Sequence, residues 1–311
     1  MKVFNSIYSF VSSKKTIITI GTFDGVHLGH QSILKKITSD NKKEYTSVLL
    51  TFFPHPRIAL QQDNEIKLLS TIKEKTKLLE YFQLENLIIH PFDKIFSELN
   101  PEEFVSEVLV KQLNVYKIVI GYDHRFGKNR AADIHDLIAF GKKYGFEVEQ
   151  INAKEINEIA VSSTKIRKAL MDGNIKLANK YLGYPFIITG FVVNGKKLGR
   201  TLGFPTANIN IEENYKLLPK NGVYLAKSKI ENIEYFGMMN IGNNPTIGEN
   251  KQSVEIHFFN LNEDLYNKEI QISILEHIRE EKKFNTLDEL KDQLGKDKIF
   301  SLNYIKNEHS F

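Results

Sequence analysis

The sequence predicts an α/β domain with a mostly parallel sheet, followed by a small antiparallel β-barrel and a terminal helix. Up to about residue 184, short apolar runs alternate with segments of helical spacing. After Pro185, short strand patterns follow one another, separated by Gly, Asn or Pro turns. A chain of 311 residues is long enough for two cores. We therefore expect one domain over 1–184 and a second over 185–311.

Five apolar runs in the first part are the expected strands of the sheet. They cover residues 17–20, 48–52, 87–89, 118–120 and 146–151, and helical spacing is found at 73–82, 101–113 and 132–144. Asn100 and Pro101 suit the N-cap and first position of a helix. Alternating strands and helices favour a doubly wound sheet, in which ligands bind beyond the carboxyl ends of the strands.

The second part predicts six barrel strands and a closing helix. The strand patterns cover residues 187–193, 207–211, 223–230, 235–241, 253–259 and 269–278. Leu287, Leu290 and Leu294 then repeat at helical spacing, and Thr286 with Glu289 is typical of a capping box. A small antiparallel barrel with a terminal helix follows from this order.

Composition narrows the class of protein. The chain has no cysteine, which excludes disulfides and thiolate metal sites. Its formal net charge of +4 suits an anionic ligand but does not indicate a nucleic-acid-binding face. No apolar run is long enough to span a membrane, and the first residues lack the pattern of a secretory signal. We expect a cytoplasmic monomer or weak homo-oligomer with neither nucleic acid nor membrane as partner.

The most informative stretch joins the first apolar run to the following helix. From Gly21 to His30 it has the form G-x-F-D-G-x-H-x-G-H. A helix N-terminus offers unpaired N–H groups and partial positive charge to phosphate. His27 and His30 are three residues apart, so both imidazoles are expected on one side of the helix start. A surface histidine pair in an ordinary loop is the alternative for H-x-x-H alone, but the whole string is more specific.

Three other clusters in the first part combine charge with turn residues. They are T-F-F-P-H-P-R at 51–57, G-Y-D-H-R-F-G-K-N-R at 121–130 and V-S-S-T-K-I-R at 161–167. Each has a plain alternative: a rigid turn, a solvated basic loop, or the cap of a helix over 164–171. As sites, the second and third would offer cations, hydroxyls and helix N–H groups to phosphate.

The barrel carries a different set of polar residues. In G-F-P-T-A-N, Thr206 and Asn208 are expected on one face of an extended segment, where a hydroxyl and an amide oxygen suit Mg²⁺ together with ATP phosphates. Glu255 shares a strand face with His257 and is a fitting base for a hydroxyl proton. Solvated polar residues on wet strands are the alternative. Residues 194–201 look superficially like a P-loop, but their spacing predicts a mobile hairpin instead.

Taken in order, these motifs resemble the bacterial bifunctional riboflavin kinase/FMN adenylyltransferase (FAD synthetase) family over the whole chain. The motifs behind this resemblance are, in order, G-x-F-D-G-x-H-x-G-H, F-x-P-H-P, G-x-D-x-R-F-G, S-S-T-x-I-R, G-R-T-x-G-F-P-T-A-N, G-V-Y, V-E-x-H and a loose R-x-E-x-K-F at 279–284. The resemblance implies a Rossmann-like nucleotidyltransferase domain and a riboflavin kinase barrel. The barrel would convert riboflavin and ATP to FMN and ADP, and the first domain would convert FMN and ATP to FAD and diphosphate, with Mg²⁺ as cofactor.

The same resemblance implies residue roles. His27 and His30 would stabilise charge on the transferring phosphates, and Glu255 would act as base. The implied nucleotide contacts are Gly21, Phe23, Asp24, Gly29, Ser162, Ser163, Thr164, Arg167, Gly199, Thr206 and Asn208, the last two also holding Mg²⁺. The implied flavin contacts are His55, Asp123, Arg125, Phe126 and Arg279. The chain departs from the family pattern at His124, where phenylalanine is usual, and at Phe53, where an acidic residue is common.

Two other functions compete with this hypothesis. A tRNA-charging enzyme would combine H-x-G-H with an RNA-binding barrel, but the barrel is not strongly basic and RNA binding leaves G-F-P-T-A-N unexplained. A flavin or nucleotide sensor without catalysis is the other. The presence of both histidines, Thr206, Asn208 and Glu255 favours an enzyme.

Overall fold

The computed structural model of the chain describes residues 1–39, 44–61, 63, 65–122, 124–151, 161–195, 198–243 and 252–308. It divides into two compact units: Met1–Leu68 with Ile72–Ser162, and Leu69–Thr71 with the chain from Ser163 onward. Residues 163–184 thus pack with the second unit, although the sequence pattern assigns them to the first domain. The boundary between the two functional domains, at 184/185, stays a prediction.

The first unit is built on a six-stranded sheet in which all neighbouring strands are parallel. Its strands are β1 (Lys2–Phe4), β2 (Lys15–Ile20), β3 (Tyr45–Phe52), β4 (Asn86–His90), β5 (Val115–Gly121) and β6 (Glu147–Ile151), in the order β1-β4-β3-β2-β5-β6. Every strand that the apolar runs predict is present. The sequence pattern misses β1, because three residues with two exposed side chains form no apolar run.

Helices cover both faces of this sheet, as the doubly wound prediction requires. They are α1 (Leu28–Ser39), α2 (Pro56–Ala59), α3 (Ile72–Tyr81), α4 (Lys94–Ser97), α5 (Pro101–Glu103), which continues as a π-helix over Phe104–Gln112, and α6 (Ile134–Tyr144). Alternate residues of one strand serve the two cores: Ile18 belongs to one buried cluster and Ile17 to the other. The predicted cap at Asn100 is present as a capping box with Glu103, each hydrogen bond being 2.9 Å long.

The second unit contains a closed antiparallel barrel. Two helices, α7 (Ser163–Met171) and α8 (Ile175–Leu182), precede its strands β7 (Phe186–Val193), β8 (Ala207–Asn210), β9 (Gly222–Ile230), β10 (Ile233–Asn243), β11 (Gln252–Phe258) and β12 (Glu269–Arg279). The barrel closes in the order β10-β11-β8-β7-β12-β9, and all pairs are antiparallel. The six strands and the terminal helix, α10 (Leu287–Glu308; α9 is given below), confirm the predicted architecture.

Two local predictions for this unit need correction. The expected mobile hairpin at 194–201 contains instead a short helix, α9 (Leu198–Thr201), while residues 196 and 197 lie outside the described part. A hydrogen bond of 2.8 Å from the Phe204 N–H to the Gly199 carbonyl closes this turn. At the start of α10, Thr286 does accept the Glu289 N–H at 3.2 Å, but the Glu289 carboxylate accepts from Asn285 rather than from Thr286.

Across the described ranges, no helix has both the length and the apolar character that a membrane crossing requires.

Candidate functional site

The loop between β2 and α1 is buried, and its backbone has several positive φ angles. Phe23, Asp24, Val26 and His27 are all buried. Phe23 and Val26 adopt positive φ values of 46° and 37°, and Gly25 has a φ of 77°. Positive φ is costly for a β-branched residue such as Val26 and persists only where the surroundings impose it. The hydrogen bond from the Gln31 amide to the Val26 carbonyl, 2.9 Å long, is one such constraint.

The two histidines meet at the beginning of α1, as the spacing predicts. Their rings stack with centroids 3.7 Å apart and planes 16° apart. The Phe23 ring stacks on the other side of His30 at 4.4 Å and 22°. The Nδ1 atom of His30 is buried and has no hydrogen-bond partner among the described residues. Burial, and then the neighbouring His27 and Lys75, hold the pKa of His30 well below 6.5, so this imidazole is neutral at neutral pH.

Lys75 is a member of this site that the sequence analysis misses. It projects from α3, its side chain is buried, and its Nζ donates to the Thr22 carbonyl at 2.7 Å. Burial lowers its pKa to about 8, against the opposing effect of the Asp24 carboxylate. The sequence does contain one signal, because Lys75 follows Ile72 by three residues and precedes Leu79 by four, which places a cation on an otherwise apolar helix face.

The other predicted residues of the first unit lie on two loops. His55 caps α2, with its Nδ1 accepting the Arg57 N–H at 3.2 Å. Arg125 is exposed, whereas Phe126 is buried in the core against Phe104, with ring centroids 5.8 Å apart. Asp123 lies outside the described residues. Both loops follow the carboxyl end of a strand, β3 and β5 respectively, where ligands of such sheets bind.

The S-S-T-x-I-R cluster lies where the chain passes from one unit to the next. Ser163 is the first residue of α7, and Thr164 and Arg167 lie in its first two turns, within the second unit. Ser162 is the last residue of the first unit. Thr164 is exposed, and Ser162, Ser163 and Arg167 are half-buried, so all four side chains retain surface for a ligand.

In the barrel, the predicted polar residues do lie together. The Thr206 hydroxyl is 3.4 Å from the Glu255 carboxylate, and Asn208 is the direct partner of Glu255 between β8 and β11. This confirms that Thr206 and Asn208 share one face. A cavity of about 300 Å³ is lined by Thr206, Ile256 and the hydrogen-bonded pair of Arg200 and Tyr266, among others, whereas Asn208 and Glu255 do not line it.

His257 fixes the segment that carries these residues. Its Nδ1 is 2.8 Å from the Pro205 carbonyl, which can only accept, so Nδ1 carries the proton. Burial lowers the pKa of His257, although the hydrogen bond to Pro205 opposes this shift. The ring also makes edge-on contacts with Phe204 and Phe259, with ring centroids 5.3 and 5.9 Å apart. The strand alternation predicts that His257 shares a face with Glu255, but nothing in the sequence predicts its contact with the Pro205 carbonyl.

Two glycines allow the chain to approach this polar face closely. A Cβ at Gly195 would collide with the Asn208 amide, and one at Gly199 would collide with the Phe204 carbonyl. Gly199 is therefore required by packing as well as being a predicted nucleotide contact.

Arg279, the last residue of β12, forms an ion pair with Asp297. Its Nε lies 3.0 Å from both carboxylate oxygens of Asp297, and its Nη2 lies 2.8 Å from one of them. Asp297 is a buried residue of α10, so this fork-shaped pairing ties the terminal helix to the barrel. The predicted flavin contact of Arg279 stays a prediction.

Family comparisons divide the chain in the same order as its architecture. A sequence model described as FAD synthetase matches residues 10–165, and one described as riboflavin kinase matches residues 182–305.

Curated relatives match almost the whole length, and each is named a bifunctional riboflavin kinase/FMN adenylyltransferase. The relative from Buchnera aphidicola (subsp. Schizaphis graminum) is 39% identical, over 96% of this chain and 96% of its own. The relative from Bacillus subtilis is 36% identical over 94% and 93%, and that from Escherichia coli K12 is 35% identical over 96% and 96%.

A solved structure from Streptococcus pneumoniae, named a macrolide-efflux protein, has the same fold. It matches with a TM-score of 0.87 and 30% identity, covering 97% of this chain and 98% of that one. Its name differs from the names of the curated relatives.

Proposed function

This chain belongs to the bifunctional riboflavin kinase/FMN adenylyltransferase family, and we propose that the residues described above carry out its two reactions. The protein phosphorylates riboflavin with ATP to give FMN and ADP, and it adenylylates FMN with a second ATP to give FAD and diphosphate. The kinase reaction belongs to the barrel end of the chain and the adenylyl transfer to the N-terminal end, following the two matched family models. The names of the relatives support neither tRNA charging nor a sensor without catalysis.

For adenylyl transfer, the stacked pair of His27 and His30 is the observation that carries the proposal. A phosphate oxygen of FMN attacks the α-phosphorus of ATP, and the bond to the diphosphate breaks. The nucleophile is already an anion, so catalysis depends on positioning and on stabilising charge at the phosphates. The buried, neutral His30 and the N–H groups at the start of α1 suit this role. We assign Gly21, Phe23, Asp24 and Gly29 to the same nucleotide loop.

The remaining contacts of this reaction are proposals from the family motifs. Ser162, Ser163, Thr164 and Arg167 are proposed to bind ATP, because hydroxyls and a guanidinium suit its phosphates. His55, Asp123, Arg125 and Phe126 are proposed for the flavin side. The exposed position of Arg125 supports contact with the FMN phosphate more directly than the buried position of Phe126 supports ring contact.

For riboflavin phosphorylation, we propose Glu255 as the base that accepts the proton of the attacking hydroxyl. The Thr206 hydroxyl, 3.4 Å away, orients this carboxylate, and Thr206 also lines a cavity whose wall combines apolar side chains such as Val192 and Phe258 with polar ones such as Arg200 and Asp264. Gly199 and Arg279 complete the proposed contacts with nucleotide and flavin.

The donor set of the barrel fits Mg²⁺. Thr206 and Asn208 offer hard oxygen ligands on one face, and no cluster of three or more His, Cys, Asp or Glu suited to a metal occurs among the described residues. Mg²⁺ commonly takes only one or two protein ligands and completes its shell with phosphates and water. Thr206 and Asn208 would hold the ion, which neutralises charge on the ATP phosphates when bound. We further propose small molecules as the only partners, a monomer or weak homo-oligomer, and a place in the cytoplasm.

The test is chromatography of the flavins formed when the pure protein is incubated with riboflavin, ATP and Mg²⁺. FMN that appears first and then converts to FAD supports both assignments. Omission of Mg²⁺ should stop the formation of FMN. FMN that accumulates without FAD would contradict the proposal for the first unit. The absence of any product would contradict both.

A further inference from the structure

The lysine of α3 that reaches the histidine loop has no role in the reaction described above. Lys75 is only 3% exposed and lies on the helix face that packs against the core. A buried ammonium is retained only where hydrogen bonds and opposite charge offset its loss of hydration. The groups in contact with the Lys75 ammonium therefore indicate the role of its charge.

Those neighbours belong to the loop that carries the histidines. The ammonium donates to the Thr22 carbonyl at 2.7 Å, and the buried Thr51 hydroxyl donates to the same oxygen at 3.2 Å. Asp24, only 1% exposed, provides the opposite charge from within the loop. Donors from α3 and from the end of β3 thus converge on one backbone oxygen of the loop.

The loop needs such an anchor because its backbone is strained. Phe23, directly after Thr22, has a φ of 46°, and Val26 has a φ of 37°. The Phe23 ring stacks on His30, which in turn stacks on His27. A displacement of the Thr22 carbonyl is therefore transmitted to Phe23 and from it to the face of His30.

We propose that Lys75 is a positioning residue for FMN adenylylation: its charged ammonium anchors the Thr22 carbonyl and keeps the Phe23–His30–His27 stack aligned with the phosphates. This rests on the proposed phosphate-binding role of the histidines. The lysine itself acts through the loop and need not contact the substrates.

The charge on Lys75 depends on pH, so the rate of adenylylation should depend on pH as well. The titratable groups that interact with Lys75 are Asp24 from the loop and His30 from α1, with His27 of the loop stacked on His30; Glu74 is its neighbour along α3. Because burial lowers the pKa of Lys75 to about 8, the anchoring charge is present below pH 8 and is lost as the pH rises through it. Adenylylation should fall over that interval.

This loss of activity is distinct from unfolding. The unfolded chain binds the lysine proton more tightly than the folded chain, because its pKa of 10.5 there exceeds the folded value of about 8. The contribution of Lys75 to folding stability therefore increases as the pH rises from 8 to 10.5. As the pH rises above 8, the titration of Lys75 should therefore lower the rate of adenylylation while it increases folding stability.

The experiment compares Lys75→Met with Lys77→Met in the full-length protein. Both replace a lysine of α3 in the same way, but Lys77 is exposed. Steady-state FAD formation from FMN and ATP is measured over about two pH units on each side of 8. Riboflavin phosphorylation by the same preparation reports the concentration of active protein.

We expect Lys75→Met to lower kcat/KM for FAD formation by about 10²-fold at neutral pH, the cost of a displaced catalytic group, and to remove the fall near pH 8. Lys77→Met should match the wild type in both respects. A Lys75→Met variant with wild-type kcat/KM, or one that keeps the fall near pH 8, would overturn the proposal.

Lys75→Arg covers the case in which the methionine variant does not fold. It keeps a cation that does not titrate in this range, so its activity should persist well above pH 8. A Lys75→Arg profile that still falls near pH 8 contradicts the proposal. Measurements on His30→Ala keep the two hypotheses separate, because a His30→Ala enzyme with unchanged kcat/KM for FAD formation rejects the histidine role whatever the lysine variants show.

Discussion

The two surfaces proposed to handle ATP phosphates, one in each unit, are of opposite kinds. In the first unit the site is a buried loop with positive φ values, stacked rings and a lysine with a lowered pKa. In the barrel it is a half-buried strand face with a hydroxyl, an amide and a carboxylate, of which the hydroxyl of Thr206 also lines a cavity. The difference follows the chemistry. An anionic nucleophile requires rigid charge stabilisation, whereas a hydroxyl nucleophile requires a base and room for a hydrated metal ion.

The largest effect is expected from removal of the proposed base in the barrel. Glu255→Gln keeps the shape of the side chain but cannot accept a proton, so FMN formation should fall by about 10³-fold. Formation of FAD from supplied FMN should be unchanged. Flavin chromatography measures both rates on one sample. Glu234→Gln is the control, because Glu234 is an exposed carboxylate on β10 whose ion pair with Lys227 contributes little. Equal loss of both activities in Glu255→Gln would argue against separate sites.

The reciprocal substitution is His30→Ala in the first unit. Loss of one transition-state hydrogen-bond donor should lower FAD formation by about 10²–10³-fold and leave riboflavin phosphorylation intact. His135→Ala, at an exposed position of α6, should have no effect. Unchanged kcat/KM for FAD formation in His30→Ala would reject the phosphate-binding role of the stack.

The smallest expected effect tests whether the barrel face also depends on positioning. His257→Asn leaves an N–H near the place of Nδ1 and should keep the hydrogen bond to the Pro205 carbonyl. His257→Gln places its amide beyond that point. We expect riboflavin kinase kcat/KM to fall by about tenfold in His257→Gln, the value of one neutral hydrogen bond, and by less in His257→Asn. If the two variants are equal, the contact with Pro205 does not matter for catalysis.

The features that could be predicted from the sequence are those set by residues close together along the chain. The strand–loop–helix around His27 and His30, the Asn100 cap and the shared face of Thr206 and Asn208 all follow from local spacing, and the structure confirms them. The alternation of apolar runs likewise predicts both architectures.

Contacts between distant parts of the chain could not be predicted in this way. Lys75 lies 53 residues from Thr22, and His257 lies 52 residues from Pro205. Nothing in the spacing of either residue identifies its partner, because tertiary packing decides it. The pairing of Arg279 with Asp297 belongs to the same class.

Closure of the barrel has a consequence for behaviour on heating or at high concentration. A closed barrel pairs each of its strands on both sides, so it offers no free edge to another chain. The sheet of the first unit does have edges, at β1 and β6. The first is only three residues long, and the second carries the exposed Glu147, a charge that discourages edge-to-edge association, whereas Glu149 is paired with Lys36 and Lys117. Aggregation of a partly unfolded chain should therefore begin in the N-terminal unit, with Glu147 of β6 acting as a gatekeeper residue.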